Sequence, residues 1–223
     1  SPDNPYIYNL IGRIYLAQQK DQQAEVAFKK AIELDKNVLI SYFNLGNLYA
    51  RRRSYNEAIQ QYEAVLKANP NLLPPYMVLG MIYDLQGKTE KAIEVYEKAL
   101  EIDPTFAPAA NNLAWNYAEH GGNIDVALSL AQTAKERLPD NPAISDTLGW
   151  IYYKKNAYRK AISLLSESVE KLPDNPVIHY HLGMAYYRNG DKERAREALQ
   201  QALQLSQNFP GAEEARATLQ ALQ

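Results

Sequence analysis

The sequence predicts an all-α array of six helical hairpins closed by a C-terminal capping helix, and three columns of residues predict it. Gly12, Gly46 and Gly80 stand 34 residues apart, as do Gly149 and Gly183, and Ala114 fills the 69-residue gap between Gly80 and Gly149. A tyrosine follows each small residue three places on: Tyr15, Tyr49, Tyr83, Tyr117, Tyr152 and Tyr186. Alanine recurs at Ala24, Ala58, Ala92, Ala127, Ala161 and Ala195. A fixed period of this length marks stacked hairpins, because one hairpin cannot bury both of its faces alone.

Each unit reads as two helices. In the first, Tyr8, Ile11, Gly12 and Tyr15 follow i, i+3, i+4, i+7 spacing and share one face. A polar turn follows, and Ala24, Phe28, Ala31 and Ile32 form the second stripe. The small residue on the first helix lets its partner approach, with the column alanine expected opposite it. The units run 5–38, 39–72, 73–106, 107–141, 142–175 and 176–209. One inserted residue falls in His120–Asn123 and reads as a length variation. Residues 210–223 read as a capping helix with Ala212, Ala215, Leu219 and Leu222 inward. Pro2-Asp3-Asn4-Pro5 repeats the junctions Pro139-Asp140-Asn141-Pro142 and Pro173-Asp174-Asn175-Pro176. Residues 1–4 are therefore expected to be the remnant of a preceding repeat, leaving Tyr8 and Ile11 at an open edge.

Composition narrows the function. With 24 basic and 26 acidic side chains the chain lacks the basic excess of a nucleic-acid binder. No stretch reaches the roughly 18 apolar residues of a membrane helix, so direct membrane insertion is not expected. The absence of cysteine excludes disulfides, thiol catalysis and cysteine-ligated zinc. There is no phosphate-binding glycine loop, nucleophile elbow or metalloprotease helix motif. His179 and His181 are two apart on a helix, whereas a metal pair needs i, i+3 or i+4. No catalytic residue, metal or cofactor is expected. Arg51-Arg52-Arg53 is the strongest basic cluster; it reads as a polar turn, with contact to an acidic partner as the alternative.

The segments Tyr42–Leu45–Gly46–Tyr49–Ala58–Tyr62–Pro70 and Tyr76–Leu79–Gly80–Tyr83–Ala92–Tyr96–Ala99–Pro104 resemble the tetratricopeptide repeat family, and the resemblance covers residues 5–209. It implies a right-handed α-solenoid whose first helices line a concave groove that holds other proteins. The family's usual tryptophan near each unit's start is replaced by Tyr8, Tyr42, Tyr76, Ala110, Ser145 and His179. The stretch from Asn112-Leu113-Ala114-Trp115 to Asp146-Thr147-Leu148-Gly149-Trp150 is also similar to bacterial envelope repeat proteins linked to secretion and exopolysaccharide systems. The carboxylate clamp of chaperone-binding members has no counterpart: Asn9, Arg13, Asn44, Pro74 and Val78 stand in its places. Of the family's asparagine ladder only Asn44 and Asn112 match.

Given such a groove, one column of its lining reads Arg13, Asn47, Met81, Trp115, Trp150 and Met184. The column one turn earlier reads Asn9, Phe43, Met77, Asn111, Asp146 and Tyr180; that one turn later reads Leu16, Ala50, Asp84, Ala118, Tyr153 and Tyr187. All three methionines and both tryptophans fall in the first two columns. The candidate partner-binding residues are thus Phe43, Asn44, Asn47, Met77, Met81, Asn111, Asn112, Trp115, Trp150, Tyr153, Tyr180, Met184 and Tyr187. Methionine and aromatic rings suit adaptable recognition of peptides or helices. Packing between neighbouring first helices is the alternative use of the same places. The expected function is a non-catalytic scaffold for a protein or peptide, in the cytoplasm or in a bacterial periplasm or envelope. A scaffold that self-assembles through its array ends, the N-terminal edge above all, and a docking part of a larger enzyme are its rivals.

Overall fold

The computed structural model describes residues 3–222; Ser1, Pro2 and Gln223 lie outside the described residues, and with them half of the expected remnant. Among the described residues there are thirteen helices and no strand. Six hairpins follow one another: α1 (Pro5–Ala17) with α2 (Asp21–Leu34), α3 (Leu39–Arg51) with α4 (Tyr55–Ala68), α5 (Leu73–Leu85) with α6 (Thr89–Ile102), α7 (Ala107–Glu119) with α8 (Ile124–Arg137), α9 (Pro142–Lys154) with α10 (Tyr158–Lys171), and α11 (Pro176–Asn189) with α12 (Lys192–Leu205). Helix α13 (Ala212–Ala221) ends the array. This is the all-α, solenoid-class arrangement that the repeat predicts. The chain forms two compact units, one with α1–α6 up to Ile102 and one with α7–α13 from Asp103. None of the helices is long and apolar enough to cross a membrane.

Local chemistry sets the helix ends. Asn4, Asn141 and Asn175 each accept backbone N–H bonds at the start of α1, α9 and α11, with proline in the first turn, where its missing N–H costs nothing. All six hairpin turns close alike. The carbonyl of the column tyrosine accepts the N–H five residues on: Tyr15 from Lys20, Tyr49 from Ser54, Tyr83 from Lys88, Tyr117 from Gly122 and Tyr152 from Ala157 at 2.9 Å, and Tyr186 from Asp191 at 3.0 Å. The residue just before each donor is left-handed: Gln19, Arg53, Gly87, Gly121, Asn156 and Gly190.

The glycine column does not face the alanine column, as the sequence suggested, but the residue four places further along the second helix. A Cβ at Gly46 would stand 2.9 Å from the Tyr62 ring, one at Gly149 2.8 Å from Leu165, and one at Gly183 2.7 Å from Leu199. Gly12 and Gly80 meet Phe28 and Tyr96 in the same way. The alanine, one turn earlier, is fully buried and stands behind that residue, as where the Ala161 carbonyl oxygen lies 3.4 Å from the same Gly149 Cβ. The fourth hairpin inverts the sizes: Ala114 replaces glycine and Ala131 replaces the bulky side chain, in one shared core cluster.

Within each unit, hairpins join by burying the second helix of one against the first helix of the next. Ala24 and Phe28 cluster with Leu45 and Leu48, and Ala161 and Leu165 with Leu182 and Ala185. Each leucine so buried contributes about 1.5–3 kcal/mol. Arg51 and Arg52 turn back onto Asp21 and Glu25 of α2, so two of the three clustered arginines make contacts within the fold. On α1 the exposed large apolar residues are Tyr6 (62%), Ile7 (43%), Leu10 (53%) and Ile14 (48%), whereas Tyr8 and Ile11 are half-buried. Ile7 and Ile14 occupy columns that are buried in α3 as Ser41 and Leu48. Helix α13 covers the other end of the second unit, where Ala212, Ala215 and Leu222 cluster with Leu199 and Ala202.

Candidate functional site

In the first unit the candidate residues lie on α3 and α5. Asn9 of α1 is buried, and its Oδ1 accepts from Asn44 Nδ2 at 2.9 Å and from Ser41 Oγ at 3.2 Å. Asn44 is thereby tied to α1. Asn47 is exposed, and its Oδ1 accepts from the Tyr62 hydroxyl at 2.7 Å, so its Nδ2 hydrogens are what it has left to offer. The Tyr62 ring fills the space beside Gly46 while its hydroxyl orients Asn47; burial pushes that hydroxyl's pKa up, keeping it a donor. Tyr96 repeats the arrangement, donating to Asp84 at 2.8 Å. Phe43 meets Tyr62 edge-on at 5.7 Å. Met77 is half-buried and Met81 is 51% exposed, beside an exposed Leu85.

The second unit treats the same columns differently. Trp115, Tyr153 and Tyr187 are half-buried against a cluster built from Trp150, Tyr180 and Met184. Trp150 is only 6% exposed, Tyr180 4% and Met184 3%, so they do not form the open strip the columns predicted. The physical reason is that these positions face the next first helix. Trp150 stacks on Tyr153 at 4.5 Å and on His181 of α11 at 4.1 Å, and its Nε1 donates to Glu119 Oε1 at 2.7 Å. Lys154 pairs with the same Glu119 oxygen at 2.9 Å and lies 5.5 Å from the Trp150 ring. Helix α13 serves α11 as the next first helix: Tyr180 donates to Glu214, and Thr218 donates to the Met184 sulfur at 3.5 Å. Burial, then the Glu214 carboxylate, drives the Tyr180 pKa up. Asn111 donates to Asn112 at 3.3 Å, while its own Oδ1 is buried without a hydrogen-bond partner.

His179 and His181 are each held by a contact within the fold. His179 Nε2 contacts the Pro173 carbonyl at 2.8 Å, and buried His181 Nδ1 contacts Asp146 Oδ1 at 2.8 Å. The columns contained Asp146 but not Glu119 or His181, and none of the three was among the candidate residues. A spacing of 35 residues joins Asn9 to Asn44 and Asp146 to His181 alike. That spacing, one period plus one, is the signal that finds the Asp146–His181 pair; Glu119 lies 31 residues before Trp150 and carries no such mark. What remains open to a partner is amide donors, ring faces and a thioether, a set suited to recognition.

Comparison with known proteins agrees with this geometry. Tetratricopeptide repeat models match residues 5–38, 40–72, 75–106 and 152–222. No curated protein matches the chain in sequence. Among solved structures, a chain of the APC/C heterotetramer Cut9–Hcn1 is 19% identical with a TM-score of 0.79; the match covers 99% of this chain and 43% of that one, so this chain spans less than half its length. PilF of Pseudomonas aeruginosa is 17% identical with a TM-score of 0.78, covering 96% and 97%. YrrB, described as a TPR protein with an unusual peptide-binding site, is 23% identical with a TM-score of 0.67, covering 86% and 98%. Identities this low speak for the fold alone. The repeat columns, the hairpin packing and the four matching repeat models together place the chain in the tetratricopeptide repeat family.

Proposed function

We propose that the chain is a non-catalytic protein-interaction scaffold that holds a peptide or helical segment of a partner along its first helices. The observation that carries this reading is Asn47. Its oxygen is held by Tyr62, so its amide hydrogens are oriented before any partner arrives, and the exposed Met81 and half-buried Phe43 and Met77 belong to the same unit. Preorganised donors beside adaptable apolar side chains reduce the ordering cost of binding. In the second unit Trp115, Tyr153 and Tyr187 supply the accessible ring surface, with Trp150, Tyr180 and Met184 as their support. The peptide-binding site ascribed to YrrB favours a peptide partner. The description of PilW, another structural neighbour, as a type IV pilus biogenesis factor favours a bacterial envelope or secretion setting. A pull-down from the source organism comparing wild type with Asn47→Ala, Met81→Asp and Trp115→Ala tests it. Partners retained in full by all three folded variants would refute the reading.

The exposed Ile7, Leu10 and Ile14 on α1 favour a second reading, self-association through that edge. Light scattering over a hundredfold concentration range separates the two.

A further inference from the structure

Away from the first-helix columns, the first unit has a cleft of about 490 Å³ between its second helices α4 and α6, floored by buried Tyr76, Leu79 and Val95. Its size lies within the roughly 300–1,000 Å³ of small-ligand sites. The matching seam of the second unit is closed by its own side chains. Lys135 of α8 bonds Ser145 and Glu167, each at 2.7 Å, and Gln132 donates to the Tyr152 hydroxyl at 3.1 Å. The residues 69 places earlier are Leu66, Tyr76 and Lys98, and Glu63 and Tyr83. A leucine cannot bridge, so the seam around it stands open. The α2–α3–α4 seam is closed too: Tyr49 donates to Glu25 at 3.0 Å, and Glu25 also holds Arg52 at 2.6 Å. One period on, Glu25 and Arg52 become Ile59 and Gln86.

The polar groups around the open cleft are therefore left over. Tyr83 lines it and is only 8% exposed, yet its hydroxyl has no hydrogen-bond partner among the described residues. Burial, then the nearby Glu63 and Glu94 carboxylates, holds the Tyr83 pKa up, so the hydroxyl stays protonated and can both donate and accept. Glu63 and Lys67, one turn apart on α4, have no ion-pair partner among the described residues. Glu94 and Lys98 are paired with each other along α6. Lys91 lies over the Tyr83 ring, 5.6 Å from its centroid.

We propose that this cleft binds a small zwitterion of the α-amino-acid class with one apolar side chain: Glu63 and the Tyr83 hydroxyl take its ammonium, Lys67 takes its carboxylate, and Leu79 and Val95 bed its side chain. Residues four apart on a helix stand about 6 Å from each other along the axis. An ammonium and a carboxylate carried on one carbon bridge such a gap, each meeting its opposite charge. The lining holds three lysines against two glutamates, a net positive rim that disfavours a bare amine. A bare carboxylate satisfies Lys67 but leaves Glu63 unanswered beside it. A zwitterion answers both.

The test is an NMR titration of the isotope-labelled full chain with L-phenylalanine and three analogues. N-acetyl-L-phenylalanine lacks the ammonium, L-phenylalanine amide lacks the carboxylate, and L-glutamine lacks the apolar side chain. L-phenylalanine should shift the Tyr83, Leu79 and Val95 signals saturably and bind about tenfold more tightly than each analogue, the worth of one hydrogen bond to a charged group. Glu63→Gln, at an exposed position, should erase the advantage over the N-acetyl form and leave the spectrum of the free chain otherwise unchanged. Tyr83→Phe, which deletes only the hydroxyl, should weaken binding several-fold. Absence of saturable shifts overturns the site. Equal binding of the N-acetyl form makes it a plain anion site, and equal binding of glutamine removes the part of the floor; either result overturns the proposal, as does unchanged binding by Glu63→Gln. The cleft lies apart from the first-helix residues, so the result is independent of the pull-down above.

Discussion

Trp150 of α9 stacks against His181 of α11 with ring centroids 4.1 Å apart and an interplanar angle of 22°, and His181 is in turn held by Asp146 of α9. The pair knits two consecutive first helices together, with Glu119 of α7 drawn in by the Trp150 indole N–H.

Trp150→Ala should therefore lower stability by about 3–5 kcal/mol, as truncation of a buried aromatic does. Trp115, half-buried at the margin of the same cluster, should cost less than half as much. Urea unfolding of the two variants makes the comparison. Equal, small losses would place Trp150 outside the packing.

The size exchange in the fourth hairpin predicts a coupled pair. Ala131→Leu should destabilise by about 1–3 kcal/mol, because Ala114 occupies the space a leucine would need. Adding Ala114→Gly should recover most of that loss, recreating the Gly149–Leu165 arrangement. A double-mutant cycle measures the coupling; additive effects would show that the two residues do not complement each other.

Gly122 and the insertion beside it separate two roles that the last hairpin combines. Gly122 donates the turn-closing bond to Tyr117, and Asn123 then caps α8; in the last hairpin Asp191 alone does both for α12. Deleting Gly122 moves Asn123 into the position of Asp191, and stability should change by less than about 1 kcal/mol. Gly122→Ala should cost more, about 1–3 kcal/mol, because its Cβ would stand 2.8 Å from the Tyr117 Cα. Thermal unfolding of both variants decides the order.

Acid should weaken the second unit through Glu167. Its hydrogen bond to Lys135, 2.7 Å long, holds its carboxyl below the ordinary value of 4.5, with Ser145 assisting. A depressed carboxylate contributes stability at neutral pH that is lost as pH falls below about 4.5 toward its folded value. Glu167→Gln should be less stable than wild type at pH 7, with the difference shrinking toward pH 3. A constant difference across that range would exclude the linkage.

The sequence by itself determined the array: the period, the six hairpins, the tyrosine column and the inward face of α13 all follow from small and apolar residues recurring every 34 places. Such features are legible because the same positions meet in each copy, so every copy votes for the same geometry. Tertiary structure decided what the non-repeating positions do. Met81 and Trp150 share a column, yet Met81 is 51% exposed and Trp150 is 6% exposed. The difference comes from what each neighbour places beside that column, His181 and Tyr180 of α11 around Trp150. The opposite number of each glycine was likewise invisible until helix crossing set it four residues past the alanine. Period is a property of the chain, whereas exposure belongs to the side chains that meet across it.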